Sequence, residues 1–183
     1  MKKVLLGVTG SVATTLVSKI YQALIADGYE IKVVATEKSL FFWSETDVPG
    51  EVLFDKDEWI SGHYMKNDLV PHIELREWAD ILLVAPLSAN TMAKMSYGIC
   101  DNLLTTIVRA WPKKKPLIIA PAMNTVMWEN PMTEIQLELL HKCFNLHLVP
   151  PQAKKLACGE QGDGALADIQ DIINEVKRNS QEV

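Results

Sequence analysis

The sequence predicts an α/β chain with a doubly wound parallel sheet, and two observations carry that prediction. Short apolar runs recur along the chain, each followed by a segment with helical amphipathicity, the pattern of a parallel sheet covered by helices on both faces. At 183 residues and 48% apolar, the chain can bury one substantial core but is short for two domains. One domain spanning residues 1–183 is expected.

The first run, Val4 to Val8, is broken at Gly7, Thr9 and Gly10 with no small-residue cleavage site after it. It therefore reads as a strand and not as a signal peptide. Val12 to Ala26 follows as a helix, with Gly28 as its stop. The second strand is Ile31 to Ala35, and the third, Ile81 to Ala85, is preceded by a short amphipathic helix from Ile73 to Trp78, with His72 just before it. Helices are expected over Ala89 to Met95 and Asn102 to Ala110, then a solvated turn at Lys113 to Lys115. The strand Leu117 to Ala120, helix Met132 to Phe144, strand Leu146 to Val149 and helix Ile169 to Lys177 complete the alternation. The whole is Rossmann/flavodoxin-like.

Two stretches resist this reading. Trp43 to Val70 is polar and broken by Pro49, Gly50 and Gly62, and Pro150 to Asp168 is rich in Gly, Lys and Pro. Loops of that length in a compact domain are often functional. There is no internal repeat and no low-complexity tract.

Several functions are excluded early. A net charge of −5 and a pI near 5.4 give no field that would condense a polyanion, so a nucleic-acid binder is not expected. No apolar stretch approaches the ~20 residues that a membrane span needs. Cys100, Cys143 and Cys158 cannot form a closed disulfide set and lack zinc-site spacing, which fits a reducing cytoplasm. Cys100 and Cys143 suit buried apolar fillers. Cys158 differs, because it sits among Gly159, Gly162 and Gly164 where a chemical role is the better explanation.

Residues with chemical potential gather at the expected strand exits. Gly10, Ser11 and Val12 follow the first strand, where a sharp bend opens a helix whose free N–H groups, with the Thr9 and Ser11 hydroxyls, would cradle a phosphate. The spacing is not the GxGxxG fingerprint, and no acidic residue is placed to hold an adenosine ribose, which favours a mononucleotide over NAD. Thr36 and Ser39 follow the second strand; an ordinary helix cap at Ser39 is the simpler explanation of that residue alone. The third strand runs into Pro86-Leu87-Ser88-Ala89-Asn90-Thr91 and the fourth into Pro121-Ala122-Met123-Asn124-Thr125-Val126-Met127-Trp128. Both stretches also contain ordinary capping residues, but their adjacency favours a site. His72 has no local companion, and His63, His141 and His147 read as structural or exposed.

At HIELREWAD, PLSANT, PAMNTVMW and LACGEQGDGALAD the chain resembles the phosphopantothenoylcysteine decarboxylases of coenzyme A synthesis. They belong to the homo-oligomeric flavin-containing cysteine decarboxylases. The likeness runs from the first strand to about Asp168. It implies that Gly10, Ser11, Val12, Ser39, Ser88, Ala89, Asn90, Thr91, Ala122 and Met127 hold or line FMN. It implies His72 as catalytic base, Asn124 as the substrate carboxylate ligand, and Cys158 as proton donor on a flap over 151–168. Lys155, Leu156 and Ala157 would complete that substrate clamp. It also implies trimers or multiples of trimers, with His72 and the flavin facing across a subunit boundary. Because many bacterial relatives carry a fused ligase domain, a separate upstream ligase is expected here.

The implied reaction converts 4′-phosphopantothenoylcysteine to 4′-phosphopantetheine. Hydride removal from the carbon bearing sulfur gives a thioaldehyde β to the carboxylate, CO₂ departs to leave an enethiolate, and proton and hydride return restores the redox state. Three alternatives share the fold: a flavin-binding phosphatase regulator, a peptide-cysteine decarboxylase and a flavin prenyltransferase. The first would carry long acidic extensions, the second a different clamp. The third would not combine PAMNTVMW with Cys158 on its flap.

Overall fold

The computed structural model describes residues 1–59, 63, 68–155 and 161–180, with main chain alone at 154, 155 and 161. Six parallel strands form one sheet: β1 (Lys3–Val8), β2 (Glu30–Ala35), β3 (Val52–Leu53), β4 (Ile81–Leu87), β5 (Pro116–Pro121) and β6 (Asn145–Leu148). Their order is β3-β2-β1-β4-β5-β6, that of a doubly wound sheet. β1 pairs with β2 from Lys3↔Glu30 to Val8↔Ala35, and on its other side with β4 from Val4↔Ile81 to Gly7↔Val84.

Burial on both faces explains the continuous apolar runs. Val4, Leu6 and Val8 join Val17, Ile20 and Leu24 of α1 (Val17–Ala26) and Ile172, Ile173 and Val176 of α7 (Ile169–Ser180) in one core. Leu5, Leu82 and Val84 join a second core on the opposite face. There they meet Leu75 of α2 (Pro71–Trp78), Met92 of α3 (Ala89–Tyr97), Leu104 of α4 (Leu103–Arg109) and Leu140 of α6 (Pro131–Cys143). Gly7 faces this second core, where an added Cβ would lie 2.8 Å from a Leu104 methyl. Among the described residues no helix is long and apolar enough to cross a membrane.

The expected strands and helices are all present, with ends displaced by up to three residues. Val12 to Ala26 is not one helix: Val12–Leu16 is 3-10 and the α-helix starts at Val17. Ser11 explains the tight first turn, since its hydroxyl accepts from Ala13 N while its own N–H donates to Thr14 Oγ1. Gly28 ends the segment at φ +82, a conformation few L-residues adopt.

The two stretches that resisted assignment contain structure. The first holds the edge strand β3 and short 3-10 helices at Glu45–Asp47 and Asp55–Asp57. The second holds an antiparallel pair, β7 (Gln152–Lys155) and β8 (Gln161–Ala165). A four-residue helix, α5 (Thr125–Trp128), follows β5. Cys100 and Cys143 are both exposed and are not core fillers, because one lies in the α3–α4 connection and the other on the last turn of α6.

Lys115 is not part of a solvated turn. Its ammonium donates to the carbonyls of Arg76 (2.8 Å), Ala79 (2.6 Å) and Glu77 (3.4 Å), the acceptors left over at the end of α2. Partial burial pulls its pKa below the ordinary lysine value, opposed by the Asp80 carboxylate. Lys115→Met is therefore expected to cost about 1–2 kcal/mol. In thermal melts this reads as a Tm lowered by roughly 2–8 °C; an unchanged Tm would contradict the capping role.

Candidate functional site

The sheet reverses direction of growth at β1, so the turns after β1 and β4 splay apart and leave a crevice at their carboxyl ends. A network of bonds fixes the exits. The buried Thr9 hydroxyl donates to Pro86 O and accepts from Ser88 N, both at 2.8 Å. Thr14 Oγ1 donates to Thr9 O at 2.8 Å, and Ser11 Oγ donates to Ala122 O at 3.3 Å. Ala122 N reaches Leu87 O at 3.0 Å, and Thr36 N reaches Val8 O at 2.9 Å. The exits of β1, β2, β4 and β5 thus form one frame.

The frame surrounds a cleft of about 1050 Å³, room for a drug-sized ligand with space to spare. Gly10, Ser11 and Val12 line one wall, and Ser88, Ala89, Asn90 and Thr91 line another. Ala122, Asn124 and Met127 line it too, together with the chain from Gly164 to Ile169. Gly10 lets the first turn close on the second, since a Cβ there would stand 3.1 Å from Lys38 Cβ and 3.2 Å from Lys38 O. Val12 and Met127 are half exposed and present apolar surface.

The polar groups divide into those that hold the frame and those left for a ligand. Thr9 and Ser11 belong to the first class, which corrects the expectation that their hydroxyls help cradle a phosphate: each donates its one proton inside the protein, to Pro86 O and Ala122 O. Ser88 caps α3 by accepting from Thr91 N at 3.3 Å. Asn124 caps α5 through Oδ1, which accepts from Val126 N at 2.9 Å. The capping explanation and the ligand explanation are therefore compatible. The Asn124 Nδ2 and the exposed Asn90 amide have no hydrogen-bond partner among the described residues. Thr36 Oγ1 is buried at the wall with no partner among the described residues. This donor set, at a helix start and facing apolar walls, fits a phosphorylated aromatic cofactor. Among the described residues no cluster of His, Cys, Asp or Glu could hold a metal.

Ser39 and His72 stand apart from the cleft of their own chain. Ser39 is fully buried and is not a helix cap, Thr36 holding that position. Its Oγ donates to Thr36 O at 2.7 Å and accepts from Trp43 Nε1 at 3.1 Å. His72 sits in the first turn of α2, its Nδ1 paired with a Glu58 carboxylate oxygen. Lys155 ends β7, while Leu156, Ala157 and Cys158 lie outside the described residues.

The sequence reading missed what Gly162 and Gly164 do. An added Cβ would lie 1.9 Å from Thr125 Oγ1 at Gly162 and 2.0 Å from Met123 O at Gly164. β8 is therefore pressed against the Asn124 turn, with Met123 N donating to Gly164 O at 2.9 Å. Their i, i+2 spacing, which puts both on one face of a strand, was the available signal. Gly164→Ala is expected to force this contact open at a cost of about 1–3 kcal/mol, measurable by denaturant unfolding. An unchanged unfolding midpoint would contradict the close packing.

Comparison with known proteins agrees with this architecture. The family model described as Flavoprotein matches residues 1–181. The chain is 49% identical over 179 residues to phosphopantothenoylcysteine decarboxylase of Mus musculus, covering 96% of this chain and 85% of that protein. A PPC decarboxylase cysteine-to-serine mutant complexed with pantothenoylaminoethenethiol superposes with a TM-score of 0.90 at 44% identity, covering 100% of this chain and 99% of that one. The FMN binding protein AtHal3 gives 0.88 at 44% identity, with 100% and 98% coverage. With a family match over nearly its full length and relatives at such identity, the chain belongs to the flavoprotein family.

Proposed function

We propose that this protein is an FMN-dependent decarboxylase that converts 4′-phosphopantothenoylcysteine to 4′-phosphopantetheine in coenzyme A synthesis. The observation that carries the proposal is the cleft at the β1/β4 reversal, which joins a helix-start anion cradle to the donor amide of Asn124. The mouse relative bears the name of this activity, one solved relative is titled an FMN binding protein, and another was captured with an aminoethenethiol.

A carboxylate on an unactivated carbon leaves only when the bonding electrons have somewhere to go. Bound FMN would supply a reversible two-electron sink for that step. The turn from Gly10 to Ala13 would hold its phosphate through main-chain N–H groups, the Ser11 hydroxyl tying that turn to Ala122, while Ser88 to Thr91, Ala122 and Met127 would pack beside it. Asn124 holds the substrate carboxylate with a neutral amide. A full positive charge there would stabilise the carboxylate before it departs, raising the barrier.

His72 accepts the substrate thiol proton as the carbon bearing sulfur is oxidised. Because it does not line its own chain's cleft, it serves the cleft of a neighbouring copy in a homotrimer or a multiple of trimers. Cys158, with Lys155, Leu156 and Ala157 as the substrate clamp, returns a proton to the enethiolate carbon. A thiol holds its proton at pH 7 and can donate it there. The reaction has no net redox change. Its substrate would come from a ligase acting upstream, in a cytoplasmic pool.

The purified protein is expected to be yellow and to release CO₂ from phosphopantothenoylcysteine. A colourless protein that takes up no FMN would overturn the reading. His72→Asn is expected to lower turnover by at least about 10²-fold with flavin retained in the visible spectrum. Cys158→Ser is expected to yield a product lighter than phosphopantetheine by two hydrogens in mass spectra, and normal product at the normal rate would remove Cys158 from the chemistry.

A further inference from the structure

We infer that Glu58 is the positioning residue for His72, fixing which ring nitrogen of the base carries the proton. The inference rests on the reading of His72 as the base of the reaction. No motif in the sequence pointed to Glu58, which lies in a stretch without assigned structure, 14 residues before the histidine.

The pairing is two-pronged. One Glu58 oxygen meets His72 Nδ1 and the other accepts the His72 main-chain N–H at 3.2 Å, so a single carboxylate orients both the ring and the helix start. The Glu58 side chain is 7% exposed and the His72 side chain 22% exposed, so the pair is largely shielded from water. Val70, at the N-cap position of α2, provides no side-chain cap, and Pro71 has no N–H to satisfy. Glu58 therefore satisfies the N–H of His72, the first donor of that helix.

The mount of Glu58 is rigid. Phe54 is buried, its N–H donates to Asp57 Oδ2 at 2.7 Å, and Glu58 N donates to Asp55 O at 3.1 Å. Asp55 Oδ1 in turn accepts from Leu103 N at 2.7 Å at the start of α4, and Asp55 lines the cleft. One short turn thus joins the cleft wall to the histidine.

The chemical consequence follows from what a carboxylate can accept. A neutral imidazole facing it carries its proton on Nδ1, which leaves the lone pair on Nε2. Proton acceptance then occurs at Nε2, and the Nδ1–H stays on Glu58. An amide in place of the carboxylate reverses this. In Glu58→Gln the carbonyl can still accept the His72 main-chain N–H, so the helix cap survives. The NH₂ then faces Nδ1, which favours the tautomer protonated at Nε2 and removes the basic lone pair from the reacting side.

The test is ¹⁵N NMR of histidine-labelled, flavin-loaded protein at a pH where the rings are neutral, with the His72 signals assigned by their loss in His72→Asn. The wild type is expected to show Nδ1 protonated and Glu58→Gln to show Nε2 protonated. In parallel, kcat for CO₂ release should fall at least about tenfold in Glu58→Gln with KM within about twofold. A helix cap alone would move neither the tautomer nor kcat. Nε2 protonated in the wild type overturns the inference even if the variant does not fold, as does a Glu58→Gln enzyme with unchanged tautomer and kcat. A flavin-loaded wild type that releases no CO₂ would sink the activity reading, and the tautomer would still decide the pairing.

Discussion

The buried hydroxyl of Thr9 is the joint on which the site depends. In a parallel sheet the carboxyl ends of all strands share one edge, but nothing in the sheet fixes the turns beyond that edge. Thr9 does so by donating to β4 at Pro86 and accepting from Ser88 N, while its own carbonyl is held by Thr14. Leaving such groups unpaired in the interior would cost about 1–3 kcal/mol each. The turn that presents Gly10, Ser11 and Val12 is thereby locked to the turn that presents Ser88, Ala89 and Asn90. The opening between them is set by main-chain geometry and not by flexible side chains.

The same economy governs the rest of the cleft. Asn124 uses one end of its amide as a cap and leaves the other as a donor, so that donor is oriented by the helix it starts. Gly164 brings β8 closer to the main chain at Met123 than a Cβ would permit, Gly162 does the same against the Thr125 side chain, and Gly10 lets its turn lie tightly on Lys38. Lys115 and Glu58 do for α2 what Thr9 does for the turns: each end of the helix bearing His72 is held by one charged side chain from a distant segment. Function here rests on a few long-range polar contacts laid over an apolar sheet.

The fold was legible because burial on both faces leaves a simple trace. Runs such as Ile81 to Ala85 must be apolar at every position, and helices capped by Ser88 or Asn102 announce their starts. Much of the cleft wall was legible for the same reason, since capping residues and strand exits are local features. What was not legible depends on partners far along the chain. Thr9 and Ser11 look like ligand hydroxyls in sequence, and only their distant partners, Pro86 and Ala122, show that both protons are spent on the frame. Lys115 resembles Lys113 and Lys114, yet the end of α2 lies above it alone. Glu58 and the edge strand β3 sit in a stretch too polar and too short-ranged to show a period. The motif resemblance supplied what local physics could not, namely a role for His72.

Crystallography of the flavin-loaded protein tests the central claim most directly. The account predicts FMN density within the cleft at the β1/β4 reversal, its phosphate against the turn from Gly10 to Ala13. Density for the flavin at any other place on the chain, or a phosphate remote from that turn, would contradict it.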